Sequence, residues 1–260
     1  MKYKTILIDW DDTIGDWKGA ETDALHQLYH RYHMEKLYPS AEAFITTYET
    51  YNRTLWELYG AGKITKAYLH YERFRHLFLT PRTDAMATAT ADSGVTPDAM
   101  AADTAAEDFL ALTNQYFRLI PGAYEAVREL AKHYPLTLLS NGFKEVQYYK
   151  LAKSGLKDCF QHILISEEVG YNKPQREIFE YALRLNGVSA DQAVMIGDSL
   201  TSDIQGAKNA SIDQIWITNS NSAPAAPVSS SPNLVISADP ASTAATYIVP
   251  HLRDAVKILC

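Results

Sequence analysis

Residues 4–13 read KTILIDWDDT: an apolar, β-branched run from Thr5 to Ile8 that ends abruptly in carboxylates at Asp9 and Asp11. A short continuous apolar run that stops at a charge is the pattern of a strand buried on both faces, as in parallel sheets. Runs of the same kind recur at 135–140 (PLTLLS), 161–166 (QHILIS), 193–198 (AVMIGD) and 213–217 (DQIWI), with a last short one at 234–237. From residue 143 onward, segments of helical period at 144–154, 174–186 and 201–210 separate them. That alternation predicts an α/β core built on a doubly wound parallel sheet.

Between the first two strands the chain carries no strand signal. Segments such as SAEAFITTYETYNRTLWELYG (40–60) and KITKAYLHYERFRHLF (63–78) instead repeat apolar and aromatic residues at helical spacing. Leu25, Leu28, Tyr29 and Tyr32 form one such stripe; Tyr68, Tyr71, Phe74 and Leu77 form another. This predicts an inserted helical domain over 17–118, with 1–16 and 119–260 forming the α/β core. Thr96-Pro97 fits a helix N-cap followed by a first-turn proline. The Ala/Thr/Asp-rich stretch 80–93 and the Ser/Ala/Pro-rich stretch 219–232 read as loops.

Composition bounds the function. The chain has 260 residues, 47% hydrophobic and 21% charged, enough for one large domain or a core with a smaller companion. A net charge of −7 argues against binding a nucleic-acid polymer, because such affinity rests on clustered Lys and Arg. No apolar stretch approaches a membrane span, and the first apolar run is too short for a signal peptide. Cys159 and Cys260 form neither a disulfide framework nor a metal pattern, so a reducing, cytoplasmic setting is expected.

In open parallel sheets, ligands bind beyond the carboxyl ends of the strands. Asp9, Asp11, Ser140, Asn141 and Asp198 fall there, and Lys173 lies in a loop before a helix in YNKPQREIF. Three carboxylates, a hydroxyl, an amide and an ammonium suit phosphoryl transfer with a divalent cation. Hard Mg²⁺ takes oxygen ligands, for which Asp9 and Asp198 are the natural choices. A carboxylate nucleophile, Asp9, splits ester hydrolysis into formation and breakdown of an aspartyl-phosphate. A second carboxylate, Asp11, can serve both halves as acid and base. Ser140-Asn141-Gly142 precedes a helix whose free N–H groups suit a phosphate oxygen, Lys173 should neutralise charge, and Asp203 could support the metal's water shell or orient Lys173. Each element alone is common in ordinary turns and caps. Their order along one sheet is what carries weight.

At these residues the chain resembles the haloacid dehalogenase (HAD) superfamily. Its four ordered motifs look like DWDDT at 9–13, SNG at 140–142, KP at 173–174 and GDSLTSD at 197–203, and the helical insert is similar to that family's cap. The resemblance implies Mg²⁺ dependence. It also implies Asp9 as nucleophile and ligand, Asp11 as acid/base offering its carbonyl to the metal, Ser140, Asn141 and Lys173 on the phosphate, and Asp198 as ligand. A carboxylate at position 11 marks a phosphatase, since a dehalogenase has no leaving oxygen to protonate. NGF at 141–143, ISEEVG at 165–170 and the segment 55–74 are similar to the YjjG-type nucleotidases, which implies a small phosphorylated metabolite, a nucleoside 5′-monophosphate, as substrate. Two departures stand out: Asp12 and Ser211 occupy positions where the family pattern has glycine.

Trp17, Tyr48, Tyr51, Trp56, Tyr68 and Tyr71 are candidate stacking surfaces for a base, though aromatics at helical spacing usually pack a core. Arg73 reads as a solvated helix residue before it reads as a substrate contact. His26, His30, His33, His70 and His76 lack zinc-site grouping. The alternatives are a phosphatase for phosphoglycolate or a sugar phosphate, a phosphomutase, and a catalytically silent phosphate- or protein-binding module. Oligomeric state is left open.

Overall fold

Each of the apolar runs that opens the α/β alternation forms a strand. In the computed structural model, which describes residues 2–79, 99–219 and 245–260, these are β1 (Thr5–Ile8), β2 (Leu136–Ser140), β3 (Phe160–Ile165), β4 (Ala193–Gly197) and β5 (Asp213–Ile217). A sixth, β6 (Tyr247–Val249), closes one edge. All pairings are parallel, in the order β3-β2-β1-β4-β5-β6. The run at 234–237 and the Thr96-Pro97 cap lie outside the described residues, as do the stretch 80–93 and all but the first residue of 219–232.

Every residue of β1, β2 and β4 is buried, so these strands have no polar face. Ile6, Leu7 and Ile8 are wholly excluded from solvent, each contributing ~1.5–3 kcal/mol by burial. On one side of the sheet Leu7, Leu139 and Met195 pack with Ile178, Phe179 and Ala182 of a helix that follows β3. Because β1 pairs with both β2 and β4, the chain reverses its direction of winding there. The crevice at such a switch point is where α/β proteins bind ligands.

The helices of this unit are α5 (Ala123–His133), α6 (Lys144–Ser154), α7 (Ser166–Val169), α8 (Arg176–Asn186), α9 (Gln205–Asn209) and α10 (Leu252–Leu259). The unit comprises Met1–Trp17 with Arg118–Cys260. The helix expected over 201–210 is shorter than its pattern suggested. Leu200–Ile204 forms a wider π turn in which the N–H groups of Asp203 and Ile204 both donate to the Ser199 carbonyl. This turns Asp203 inward.

Both departures from the glycine pattern lie in the left-handed region: Asp12 at φ 59° and Ser211 at φ 59°. That explains why glycine suits these positions and why an aspartate is tolerated at one of them. The helix stops at Ser211 regardless, at a backbone cost of about 1 kcal/mol. Ser211→Gly should therefore raise stability by up to roughly 0.6 kcal/mol once the ~0.4–1 kcal/mol of added unfolded-chain entropy is subtracted, measured by urea denaturation. A lower midpoint in the variant would count against this account.

The second unit, Lys18–Phe117, holds almost all of α1 (Trp17–Arg31), and then α2 (Ala41–Gly60), α3 (Lys66–Leu79) and α4 (Ala99–Gln115). Ser40 caps α2 by accepting from the Ala43 N–H at 3.2 Å. Tyr48, Phe74 and Phe109 are fully buried, with ring centroids 5.3–5.6 Å apart. The stripe on α3 differs from the expected one. Leu69, His70, Arg73, Phe74 and Leu77 face the core, and Tyr68 is exposed. Arg73 is not solvated: it is 2% exposed, its guanidinium lies 4.7 Å from the Phe109 centroid, and it donates to the Tyr48 hydroxyl at 3.2 Å. The planar, weakly hydrated guanidinium can stack on aromatic rings where an ammonium would need water. Tyr48 is likewise core and not a stacking surface. Among the described residues, no helix is long and apolar enough to cross a membrane.

Candidate active site

Asp9 is the first residue after β1, and its N–H donates to the Ile196 carbonyl of β4 at 2.9 Å. The chain then turns tightly, with the Ile14 and Gly15 N–H groups both returning to the Trp10 carbonyl. Trp10 is completely buried and Asp11 partly exposed, so successive side chains diverge. Asn219 donates to the Asp12 carbonyl and tethers the turn.

Lys173 lies at the centre of the site. Its Nζ donates to Asp9 Oδ1 at 2.6 Å and to Asp203 Oδ1 at 2.7 Å, and all three residues are buried. The other oxygen of Asp203 accepts the Ser199 N–H at 3.1 Å. A Cβ on Gly197 would fall 2.3 Å from that oxygen, so this glycine makes room for the carboxylate. Asp198 completes the group: one oxygen each from Asp9, Asp198 and Asp203 lie within 4.8 Å of one another. The Asp198 carbonyl is held by the Trp216 Nε1–H at 2.8 Å.

Three carboxylates share one ammonium, and the electrostatics show the imbalance. Burial pushes the Asp9 carboxyl well above its ordinary range; Lys173 opposes the rise, while Asp203, Asp198 and Asp11 add to it. Burial, then Asp203 and Asp12, push Asp198 up to about 7. Burial works against the charge on Lys173, but Asp203 and Asp9 outweigh it and hold its pKa above the usual value. An all-oxygen set carrying excess negative charge in low dielectric is what a hard divalent cation relieves, so the residues present fit Mg²⁺.

The SNG segment is used differently from the simplest expectation. The Asn141 side chain binds the backbone of Lys173 at both ends: its Nδ2 donates to the Lys173 carbonyl and its Oδ1 accepts the Lys173 N–H, each at 2.8 Å. The side-chain amide of Asn141 is thus spent on Lys173. Asn141 is a strut that sets where Lys173 leaves the loop, across a cis Lys173–Pro174 peptide. Ser140 Oγ is buried and accepts the Gly142 N–H at 3.1 Å, which leaves its own proton to donate. At the start of α6 the Lys144 N–H is already taken by Glu167 at 3.0 Å.

Two residues outside the four motifs reach the site. Lys150 Nζ donates to Asp11 Oδ1 at 2.5 Å, and Gln147 Nε2 donates to Asp11 Oδ2 at 2.8 Å. They sit three apart on α6, on one buried face. A lysine and a glutamine on the core side of a helix were the available signal in KEVQYYKL.

Known proteins resemble this chain over most of its length. The profile of the haloacid dehalogenase-like hydrolases matches residues 3–211, and a second, HAD-hydrolase-like profile matches 170–255. The chain is 32% identical over 217 residues to the putative HAD-hydrolase YfnB of Bacillus subtilis, covering 83% of this chain and 84% of that protein. The magnesium-bound crystal structure of YfnB superposes with a TM-score of 0.75, covering 100% of this chain and 99% of the other at 28% identity. The chain is also 33% identical over 223 residues to the pyrimidine 5′-nucleotidase PynA of Streptococcus pneumoniae, covering 83% and 84%. With the pyrimidine 5′-nucleotidase YjjG of Escherichia coli it shares 27% over 261 residues, covering 100% and 99%. From its parallel sheet, its carboxylates at the β1–β4 switch point and these matches, the chain belongs to the haloacid dehalogenase-like hydrolase family.

Proposed function

We propose that this protein is a Mg²⁺-dependent phosphomonoester hydrolase that works through an aspartyl-phosphate on Asp9, with nucleoside 5′-monophosphates as substrates. The observation that carries the reading is the arrangement of Asp9, Asp198 and Asp203 around Lys173, with Asp11 held separately two residues on. Asp9, Asp198 and the Asp11 main-chain carbonyl would hold the cation, and Asp203 orients Lys173 beside them. The cation supplies charge neutralisation on the phosphoryl oxygens.

Lys173 holds one oxygen of Asp9, which leaves the other to attack phosphorus. As that O–P bond forms, the ester O–P bond breaks, and Asp11 gives its carboxylic proton to the departing alkoxide. Asp11, now a carboxylate, takes a proton from water while the water oxygen bonds to phosphorus. The Asp9–phosphorus bond breaks, so inorganic phosphate leaves and both carboxyl groups return to their starting forms. Ser140 and Lys173 donate to phosphoryl oxygens as charge builds there.

Support for a nucleotide as substrate comes from the PynA and YjjG relatives, both named as pyrimidine 5′-nucleotidases. Within the same reading, the helical unit, expected as a cap domain over 17–118 beside a core of 1–16 and 119–260, selects the base and sugar, because the α/β residues above address only the phosphate. Phosphate release from a panel of nucleoside 5′-monophosphates, sugar phosphates and phosphoglycolate tests it, with Mg²⁺ and with EDTA. The expected result is release that needs the metal and has its highest kcat/KM on pyrimidine nucleotides. A preference for sugar phosphates or phosphoglycolate would overturn the substrate assignment; release undiminished by EDTA would overturn the metal.

A further inference from the structure

A buried lysine needs a reason. Lys150 is 4% exposed, and the carboxylate it pairs with, on Asp11, is the more exposed of the two, at 28% against 5% for the lysine side chain. Desolvating an ammonium costs several kcal/mol unless the charge is fully met, so this pair is a weak device for stability alone. Lys150 is met on a second side by Trp17, whose ring centroid lies 4.1 Å from Nζ. Gln147 is even more buried, at 1%, and its Oε1 has no hydrogen-bond partner among the described residues. A Cβ on Gly142 would fall 2.1 Å from Gln147 Nε2, so the space that the amide occupies exists only because residue 142 is glycine.

These features converge on one carboxylate. Each Asp11 oxygen receives one donor, from side chains whose own positions are set by burial, by an indole face and by a glycine gap. Among the described residues, the carboxylates of Asp9 and Asp203 are likewise each held on both sides or by a buried cation, but neither draws on α6.

We propose that Gln147 and Lys150 are positioning residues for the acid/base step: together they fix the Asp11 carboxyl in the orientation from which it serves the leaving oxygen and then water. This rests on the reading of Asp11 as the acid/base. A general acid contributes about 10²–10⁴-fold, and a misplacement of about 1 Å can cost roughly 10²-fold. The effect must depend on how much the leaving group needs a proton. A nucleoside alkoxide needs one; p-nitrophenolate leaves without it.

The experiment compares wild type, Lys150→Met, Gln147→Leu and Asp11→Asn on a nucleoside 5′-monophosphate and on p-nitrophenyl phosphate, reading kcat/KM for each ester. Methionine keeps much of the apolar stem over Trp17 and removes the ammonium with its hydrogen bond to Asp11. For Lys150→Met and Gln147→Leu, kcat/KM on the nucleotide should fall about tenfold or more, while kcat/KM on the aryl ester stays near the wild-type value. The rise in melting temperature on adding Mg²⁺ should persist in both, showing an intact metal site. Equal losses on the two esters, or no loss on either, would overturn the positioning role. If Asp11→Asn itself shows no discrimination between the esters, the acid/base reading of Asp11 fails. If Asp11→Asn discriminates and the α6 variants do not, the inference about Gln147 and Lys150 alone is lost.

Discussion

Asp9→Asn should abolish turnover while leaving the fold intact. An amide is not a nucleophile toward phosphorus, so no phosphoenzyme forms, and losing a nucleophile costs about 10⁴-fold or more. The variant is nearly isosteric, and Lys173 keeps its bond to Asp203 at 2.7 Å, so the ammonium is not left unpaired. Removing one of three crowded carboxylates also relieves repulsion, since burial and its acidic neighbours already hold Asp9 well above the ordinary carboxylate range. The melting temperature in EDTA should therefore match or exceed that of wild type. Steady-state phosphate release and thermal unfolding on one preparation check both parts. Activity within tenfold of wild type would remove Asp9 from the role of nucleophile.

Asp198→Asn should act in opposite directions with and without metal. The folded-state pKa of Asp198 is raised to about 7, first by burial and then by Asp203 and Asp12, above the ~3.9 of an unfolded chain. A raised folded pKa means stability that is present at low pH and lost as pH rises through about 7. In EDTA at pH 8 the ionised carboxylate thus destabilises the wild-type fold by an amount on the order of a few kcal/mol at most. Asparagine removes that term, so the variant should be the more stable protein at pH 8, with the difference shrinking toward pH 5. With Mg²⁺ the order reverses. Wild type gains about 2.7 kcal/mol at 100 times the dissociation constant, and the variant, one ligand short, gains little. Melting curves at the two pH values, with EDTA and with Mg²⁺, give all four numbers. A variant that is stabilised by Mg²⁺ as strongly as wild type would show that Asp198 is not a ligand.

The two experiments also separate the roles within the carboxylate group. Asp9→Asn should lose the nucleophile together with one ligand, whereas Asp198→Asn should lose a ligand and keep the nucleophile. Asp203, whose oxygens are both engaged by Lys173 and the Ser199 N–H, holds the lysine in place.

Much of this was open to reading from residues alone, and what was readable shares a cause. KTILID, PLTLLS, QHILIS, AVMIGD and DQIWI are strands because a segment buried on both faces has no polar position to spare, and that constraint is written within a few consecutive residues. Asp9 and Asp198 stand at strand ends for the same local reason. The glycine-like behaviour of Asp12 and Ser211 was visible only as an oddity until their φ angles placed both in the left-handed region. Short elements were less legible. β6 (Tyr247–Val249) and α10, with three and eight residues, were too short to stand out.

What the chain order could not decide is where polar groups are spent once they are buried. Asn141 has the composition of a phosphate contact, yet its amide is committed to the backbone of Lys173, 32 residues on. Arg73 has the charge of a solvated residue but lies against Phe109 inside the helical unit. Lys150 meets Asp11 across a separation of 139 residues. Apolar periodicity and turn chemistry are local and follow from sequence by itself. The partner that makes a buried amide, guanidinium or ammonium tolerable comes from another element, so only the tertiary structure selects it.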